Sequence, residues 1–360
     1  MLVREILEFF KKERLYFYAL IGISIFYVFI FFFAHRVSER ESFLKQKIDL
    51  KSEAAPKGLP ISLNSEKQLE TKFKSSLLLQ AAMYVFVGAL VLGTVLAWFD
   101  FRTWWMKREV IPRAHECLAI SWGISEILKV IISFFTLAIL ANLFLALLKY
   151  LFFRTAANNS MMILVQAFFL DSAVFFLIVS TILKKGSQLR DLLGFEFLKI
   201  DLKEVWLGVR TYLVILPLFM LVLVLLMMFA SWIHYEPAPH PLVHLFMAEK
   251  ALSIWMISLS LVLACLIGPV VEEIFFRGFF YPALKKYCGS KMAMCATAIL
   301  FAAVHENTFA FFPIFFLGLT LTYLYEKRQS LIACISLHAI HNTVFIVYFF
   351  IVKTTMFGGS

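Results

Sequence analysis

The 360-residue chain is 61% hydrophobic and 17% aromatic but 16% charged, with 41 phenylalanines and a mean hydropathy of +0.84. A water-soluble domain carries about 25% charged and about 45–50% apolar residues, so a soluble enzyme, a disordered chain and a collagen-like fibre are excluded. What remains is a polytopic membrane protein. Its net charge of +10 fits the positive-inside bias of membrane loops. The basic residues gather at the ends of apolar runs and form no stripe of the kind a nucleic-acid groove needs, so no nucleic-acid partner is expected. Five cysteines (Cys117, Cys265, Cys288, Cys295, Cys334) without a CxxC pair indicate neither a disulfide framework nor a zinc knot.

A spanning helix needs about 20 mostly apolar residues. The first such run, 16–34, follows Arg4, Lys11, Lys12 and Arg14 and leads into His35-Arg36 with no small-residue cleavage site; it reads as a retained signal anchor. Segment 35–76 holds nine basic and six acidic residues with Pro56, Gly58 and Pro60, the composition of a polar, partly disordered external loop. Runs at 77–99, 127–150, 161–183 and 206–232 follow. The next, 251–284, is too long for one clean span and carries Gly268-Pro269, where a break or kink is expected. A short run at 292–305 and two more at 309–325 and 331–351 bring the count to eight or nine. The expected fold is therefore all-α, a polytopic bundle of transmembrane helices in the lipid bilayer. Lys and Arg concentrate in the N-terminus, in 100–116 and 184–204, and in the turns after 284 and 325, whereas 151–160, 233–250 and 306–308 are nearly free of them. This alternation places the N-terminus in the cytoplasm, with a bacterial inner membrane as the expected location.

By chemistry the chain divides in two: residues 1–204 are anonymous membrane helices with the polar loop 35–76, and residues 205–351 hold the unusual polar groups. Ionisable side chains at membrane depth cost a few kcal/mol and are functional candidates. Asp171 and Lys129, each alone in its run, read as structural contacts or snorkelling side chains, and His234, His240 and His244 read as members of a solvated loop. The sequence Gly268-Pro269-Val270-Val271-Glu272-Glu273-Ile274-Phe275-Phe276-Arg277-Gly278 is different. Adjacent helical residues diverge by about 100°, so the two glutamates cannot face the same way. Glu273 and Arg277 stand four apart and can pair; Glu272 is then free for acid–base work. The following helix ends on Phe301-Ala302-Ala303-Val304-His305, and the last carries His338, His341 and Asn342. At ~1.5 Å per residue, Glu273 lies about 18 Å above Lys285, His305 about 21 Å above Lys291, and His338 and Asn342 about 15 and 21 Å above Arg328. Three helices thus deliver these groups to a common depth.

A carboxylate and a histidine can jointly polarise water, and His and Asn donors can stabilise an oxyanion, which is equipment for amide hydrolysis. Glu272, His305 and His338 could instead hold Zn²⁺ with one open position, although HExxH is absent, Phe309 standing where its second His would be. No Gly-x-Ser-x-Gly elbow is present. A proton or ion relay in a transporter and a polar network that fixes helix packing remain open on residue chemistry.

Three motifs in order, Glu272-Glu273-x-x-x-Arg277, Phe301-x-x-x-His305 and His338-x-x-x-Asn342, resemble those of the CAAX-protease and bacteriocin-processing (CPBP) family of intramembrane proteases, which includes the type II CAAX prenyl endopeptidases. The resemblance covers about residues 205–350. It implies an intramembrane endopeptidase in which Glu272 and His305 activate water, His338 and Asn342 form the oxyanion site, and Glu273 with Arg277 gives structural support. It leaves metal-free and metal-assisted (metalloprotease-like) chemistry both open, with the metal-free form favoured because an amide suits an oxyanion better than a metal. The implied substrates are membrane-embedded or lipid-anchored proteins and peptides, prenylated CAAX tails among them. A non-catalytic scaffold or immunity-type protein of the same fold is the alternative.

Overall fold

Apolar runs become long helices because a backbone in lipid can satisfy its own hydrogen bonds only within the helix or in a closed barrel. A computed structural model describes residues 2–30, 77–114, 120–152, 159–194, 201–235 and 254–357; the segment 35–76, His240 and His244 lie outside them. Among the described residues there is no strand. The elements are α1 (Leu2–Lys12), α2 (Arg14–Ile30), α3 (Leu77–Trp105), α4 (Ile124–Phe152), α5 (Asn159–Lys184), the short α6 (Leu189–Leu193) and α7 (Leu202–Trp232). Then come α8 (Ile254–Val262), α9 (Gly268–Glu273), α10 (Tyr281–Ala303), α11 (Phe311–Arg328) and α12 (Leu331–Phe357), with π-helical turns at Leu263–Ile267 and Ile274–Phe280 on either side of α9.

Six helical stretches are long and apolar enough to cross a membrane, or seven if α1 and α2, bent by 99°, make one span. This number and the eight or nine runs of the sequence differ in how two segments are taken. The run 309–325 extends as α11 into Glu326, Lys327 and Arg328. The runs 251–284 and 292–305 join into one helical stretch, Ile257–Ala303, although this stretch is not straight. In a straight helix Phe276 and Phe301 would be about 37 Å apart; their ring centroids lie 5.1 Å apart. The chain therefore turns back between them, at Gly289 (φ 74°, ψ 168°), inside the lysine-rich turn that the sequence shows. This backbone region belongs almost exclusively to glycine. Gly289→Ala is expected to destabilise the protein by roughly 1–3 kcal/mol, read as a lowered thermal midpoint in detergent.

At Gly268-Pro269, where a break or kink is expected, the helix is irregular but unbroken. Gly268 keeps helical angles (φ −53°, ψ −58°), and the preceding π turn absorbs the proline by widening the helix rather than breaking it. Packing then gathers α9, α10, α11 and α12 together, with α7 lying along α12 and α3 along α7. At Gly208 of α7 the approach is so close that a Cβ would stand 2.4 Å from the Ala333 carbonyl oxygen. Trp122, Phe279, Phe301, Leu321 and Leu337 fill the interior and are fully buried. Outward-facing Val85, Leu92, Phe176 and Leu225 are exposed, as side chains meeting lipid should be.

Candidate active site

Glu272 and Glu273 close α9, and their divergence on the helix sends them to different partners. Glu273 and Arg277 are fully buried and ion-paired, Nη1 to Oε1 at 2.8 Å. Arg277 Nη2 donates to the Gly318 carbonyl at 3.2 Å, which ties α11 to the pair, and its guanidinium carbon lies 4.4 Å from the Phe301 ring centre. The pairing read from the i,i+4 spacing is thus present. What the sequence did not reveal is a third member: Glu273 Oε1 also lies 2.8 Å from His338 Nδ1. A carboxylate beside a guanidinium accepts hydrogen bonds, so His338 Nδ1 carries the proton and its Nε2 points the other way. The signal for this contact was the equal depth of the two residues, which does not say which glutamate the histidine meets.

His338 Nε2 faces Glu272, 3.8 Å from Oε2. His305 approaches the same oxygen from the end of α10, Nε2 to Oε2 4.0 Å. Its Nδ1 is 2.7 Å from the Phe301 carbonyl oxygen, which can only accept, so here too the proton sits on Nδ1. Glu272 Oε2 is itself buried and makes no hydrogen bond. Three acceptor atoms therefore converge: one carboxylate oxygen and two ring nitrogens. His338 is 2% exposed, whereas Glu272 and His305 are 34% and 27% exposed, so the centre is reached from the Glu272–His305 side. Phe301 forms its floor, with ring centroids 4.9 Å from His305 and 5.6 Å from His338.

Asn342 is placed one turn beyond His338 but does not join this triangle; its amide donates to the Ala264 carbonyl at 2.8 Å. His341 turns away from the centre and packs edge-on against Tyr212 and Phe219 of α7. Lys129 is paired with Glu13 at 2.7 Å, a structural contact as expected. Asp171 is different: α5 packs against α9 and both π turns, and Glu272 is the charged group within electrostatic reach of it.

Two edges of the cluster can be set beside the spacings that a metal and a water require. Two ligands of one tetrahedral zinc stand about 3.3–3.4 Å apart. Two groups hydrogen-bonded to one oxygen at about 2.8 Å stand roughly 3.9–4.5 Å apart. The gaps of 3.8 and 4.0 Å lie at the short edge of the second range and above the first. Among the described residues no group of three His, Cys, Asp or Glu side chains is arranged to hold a metal ion. The metalloprotease-like reading of Glu272, His305 and His338 thus finds no support in this geometry.

A helical membrane protein with such a cluster can be compared with known families. Residues 254–344 match the family model for type II CAAX prenyl endopeptidases, Rce1-like, a segment that contains Glu272, Glu273, Arg277, His305, His338 and Asn342. Over 113 residues, 30% of its length, the chain is 28% identical to the UPF0177 protein YaiF of Lactococcus lactis subsp. lactis (strain IL1403). The aligned region is 49% of that protein, so the chain spans about half the length of this curated relative. No solved structure matches the chain. The family match bears out the resemblance to CPBP proteins over residues 254–344, the segment that carries the motifs.

Proposed function

We propose that the protein is an intramembrane endopeptidase that hydrolyses peptide bonds of membrane-embedded or lipid-anchored proteins and peptides, prenylated CAAX tails among them. The observation that carries this reading is Glu272 Oε2, buried, without a hydrogen bond and flanked by two histidine Nε2 atoms. A water bonded to Glu272 and His305 would lose a proton to this pair as its oxygen attacks the scissile carbonyl. In this reading His338 Nε2, an acceptor in the resting centre, first takes up a proton from solvent; the imidazolium, which Glu273 steadies from behind, then donates to the developing oxyanion, and the separate proton that Glu272 and His305 take from the attacking water passes to the leaving amine. In the parent resemblance Asn342 shares the oxyanion with His338. No metal is needed for these steps, and the reading is metal-free; zinc remains the competing proposal. The multi-pass chain is assigned to a bacterial inner membrane, its N-terminus cytoplasmic.

The test is a cleavage assay in detergent on a quenched library of prenylated and plain membrane-proximal peptides. Wild type, chelator-treated wild type and Glu272→Gln are compared. Cleavage that survives the chelator and disappears in the variant supports the reading. Cleavage by the variant at the wild-type rate overturns it, and loss on chelation overturns its metal-free form.

A further inference from the structure

A carbonyl inside a helix normally accepts from its own backbone, and the partner of Asn342 is an exception. In the π turn Leu263–Ile267 the register widens to i→i+5, and the Gly268 N–H donates to the Leu263 carbonyl. The next bond of that register would join the Ala264 carbonyl to the nitrogen of Pro269, which has no hydrogen. The Ala264 carbonyl is thereby left for a side chain, and Asn342 Nδ2 donates to it at 2.8 Å. Because a carbonyl oxygen only accepts, this bond also fixes which way round the amide lies, with its nitrogen towards the π turn. An asparagine amide has two N–H donors. Ala264 takes one of them, and the other makes no bond among the described residues. Asn342 follows His338 by one turn of α12. The π turn that holds it runs beside the base, since a Cβ on Gly268 would stand 3.7 Å from Glu272 Oε1.

We propose that Pro269 is a positioning residue: by withholding a backbone N–H it reserves the Ala264 carbonyl for Asn342, so that the amide is held with one N–H occupied and the other presented to the oxyanion beside His338. Its effect on turnover rests on the endopeptidase reading above; the hold of Pro269 on the amide does not. A free asparagine amide samples several rotamers and both flips. A held one meets the developing charge without reorganising, which is where oxyanion donors gain their effect.

Pro269→Ala returns an N–H at position 269, which competes with Asn342 for the Ala264 carbonyl; Pro269→Ser serves if that variant does not fold. Wild type, Pro269→Ala, Asn342→Ala and the double variant are compared in detergent by cleavage kinetics. The side-chain amide of Asn342 is followed by NMR after isotope labelling of asparagine, its signals assigned by their loss in Asn342→Ala. Asn342→Ala is expected to lower kcat by about 10²–10³-fold, as loss of an oxyanion donor does. Pro269→Ala is expected to lower kcat about tenfold with KM unchanged, the scale of one hydrogen bond, and to have no further effect once Asn342 is replaced. In the same variant the hydrogen-bonded amide proton of Asn342 is expected to move to the position of a free amide. An Asn342 signal that stays in place overturns the proposal. So does an unchanged kcat, or a loss that Pro269→Ala still causes in the Asn342→Ala background, which would mark a merely structural role. Absence of cleavage in wild type would defeat the endopeptidase reading, while the amide signal would still decide whether Pro269 holds Asn342.

Discussion

Glu272→Gln is expected to lower cleavage by about 10²–10⁴-fold, the usual contribution of a general base, without lowering the thermal midpoint. The amide matches the carboxylate in shape and cannot take a proton from water. Because Glu272 Oε2 has no hydrogen-bond partner, the substitution removes no bond of the fold. The neighbouring carboxylate predicts the opposite. Glu273 is fully buried and binds both Arg277 and His338, so Glu273→Gln is expected to destabilise the protein before any effect on chemistry can be read. Measuring both midpoints beside both rates separates the two roles across one peptide bond. Equal loss of stability in the two variants would remove the distinction on which the site reading depends.

Arg277→Ala is expected to cost about 3–5 kcal/mol of stability, the penalty for leaving a buried ion without its partner. The side chain is fully buried and bonds in two directions, to Glu273 within its own helical stretch and to the Gly318 carbonyl of α11. Lysine has the charge but not the fork, and a single ammonium does not reproduce the planar guanidinium that meets both acceptors beside Phe301. Arg277→Lys is therefore expected to recover little. Denaturant or thermal unfolding in detergent checks both variants. Wild-type stability in Arg277→Ala would show that the pair does not hold these helices together.

The fold class was legible because lipid demands long uninterrupted apolar stretches, and 77–99, 127–150, 161–183, 206–232 and 331–351 all lie within helices. Glu272, His305 and His338 were legible as a cluster because charged and polar groups are rare at membrane depth and the lysine turns supply a ruler. The link from Glu273 to His338 was not, since depth fixes height along the bundle but not the rotation of one helix against another. The form that the irregularity at Pro269 takes was not legible for a related reason: residue identity shows the missing donor, whereas the π turn that accommodates it belongs to tertiary packing. Asn342 shows the same limit, because its partner is a backbone carbonyl and carries no signature in the sequence.

Three consecutive residues at the turn before Gly289 reach in three directions. Lys285 bonds Glu326 of α11, Lys286 bonds the carbonyls of Ile120 and Trp122, and Tyr287 bonds Glu5 of α1. Trp122 is fully buried and donates to the Phe279 carbonyl. The family-matched segment is therefore riveted to the part of the chain that carries no motif. Excised alone, it would lose an indole from its interior and the partners of two successive side chains, so the excised segment is expected to be less stable than the same segment within the whole chain.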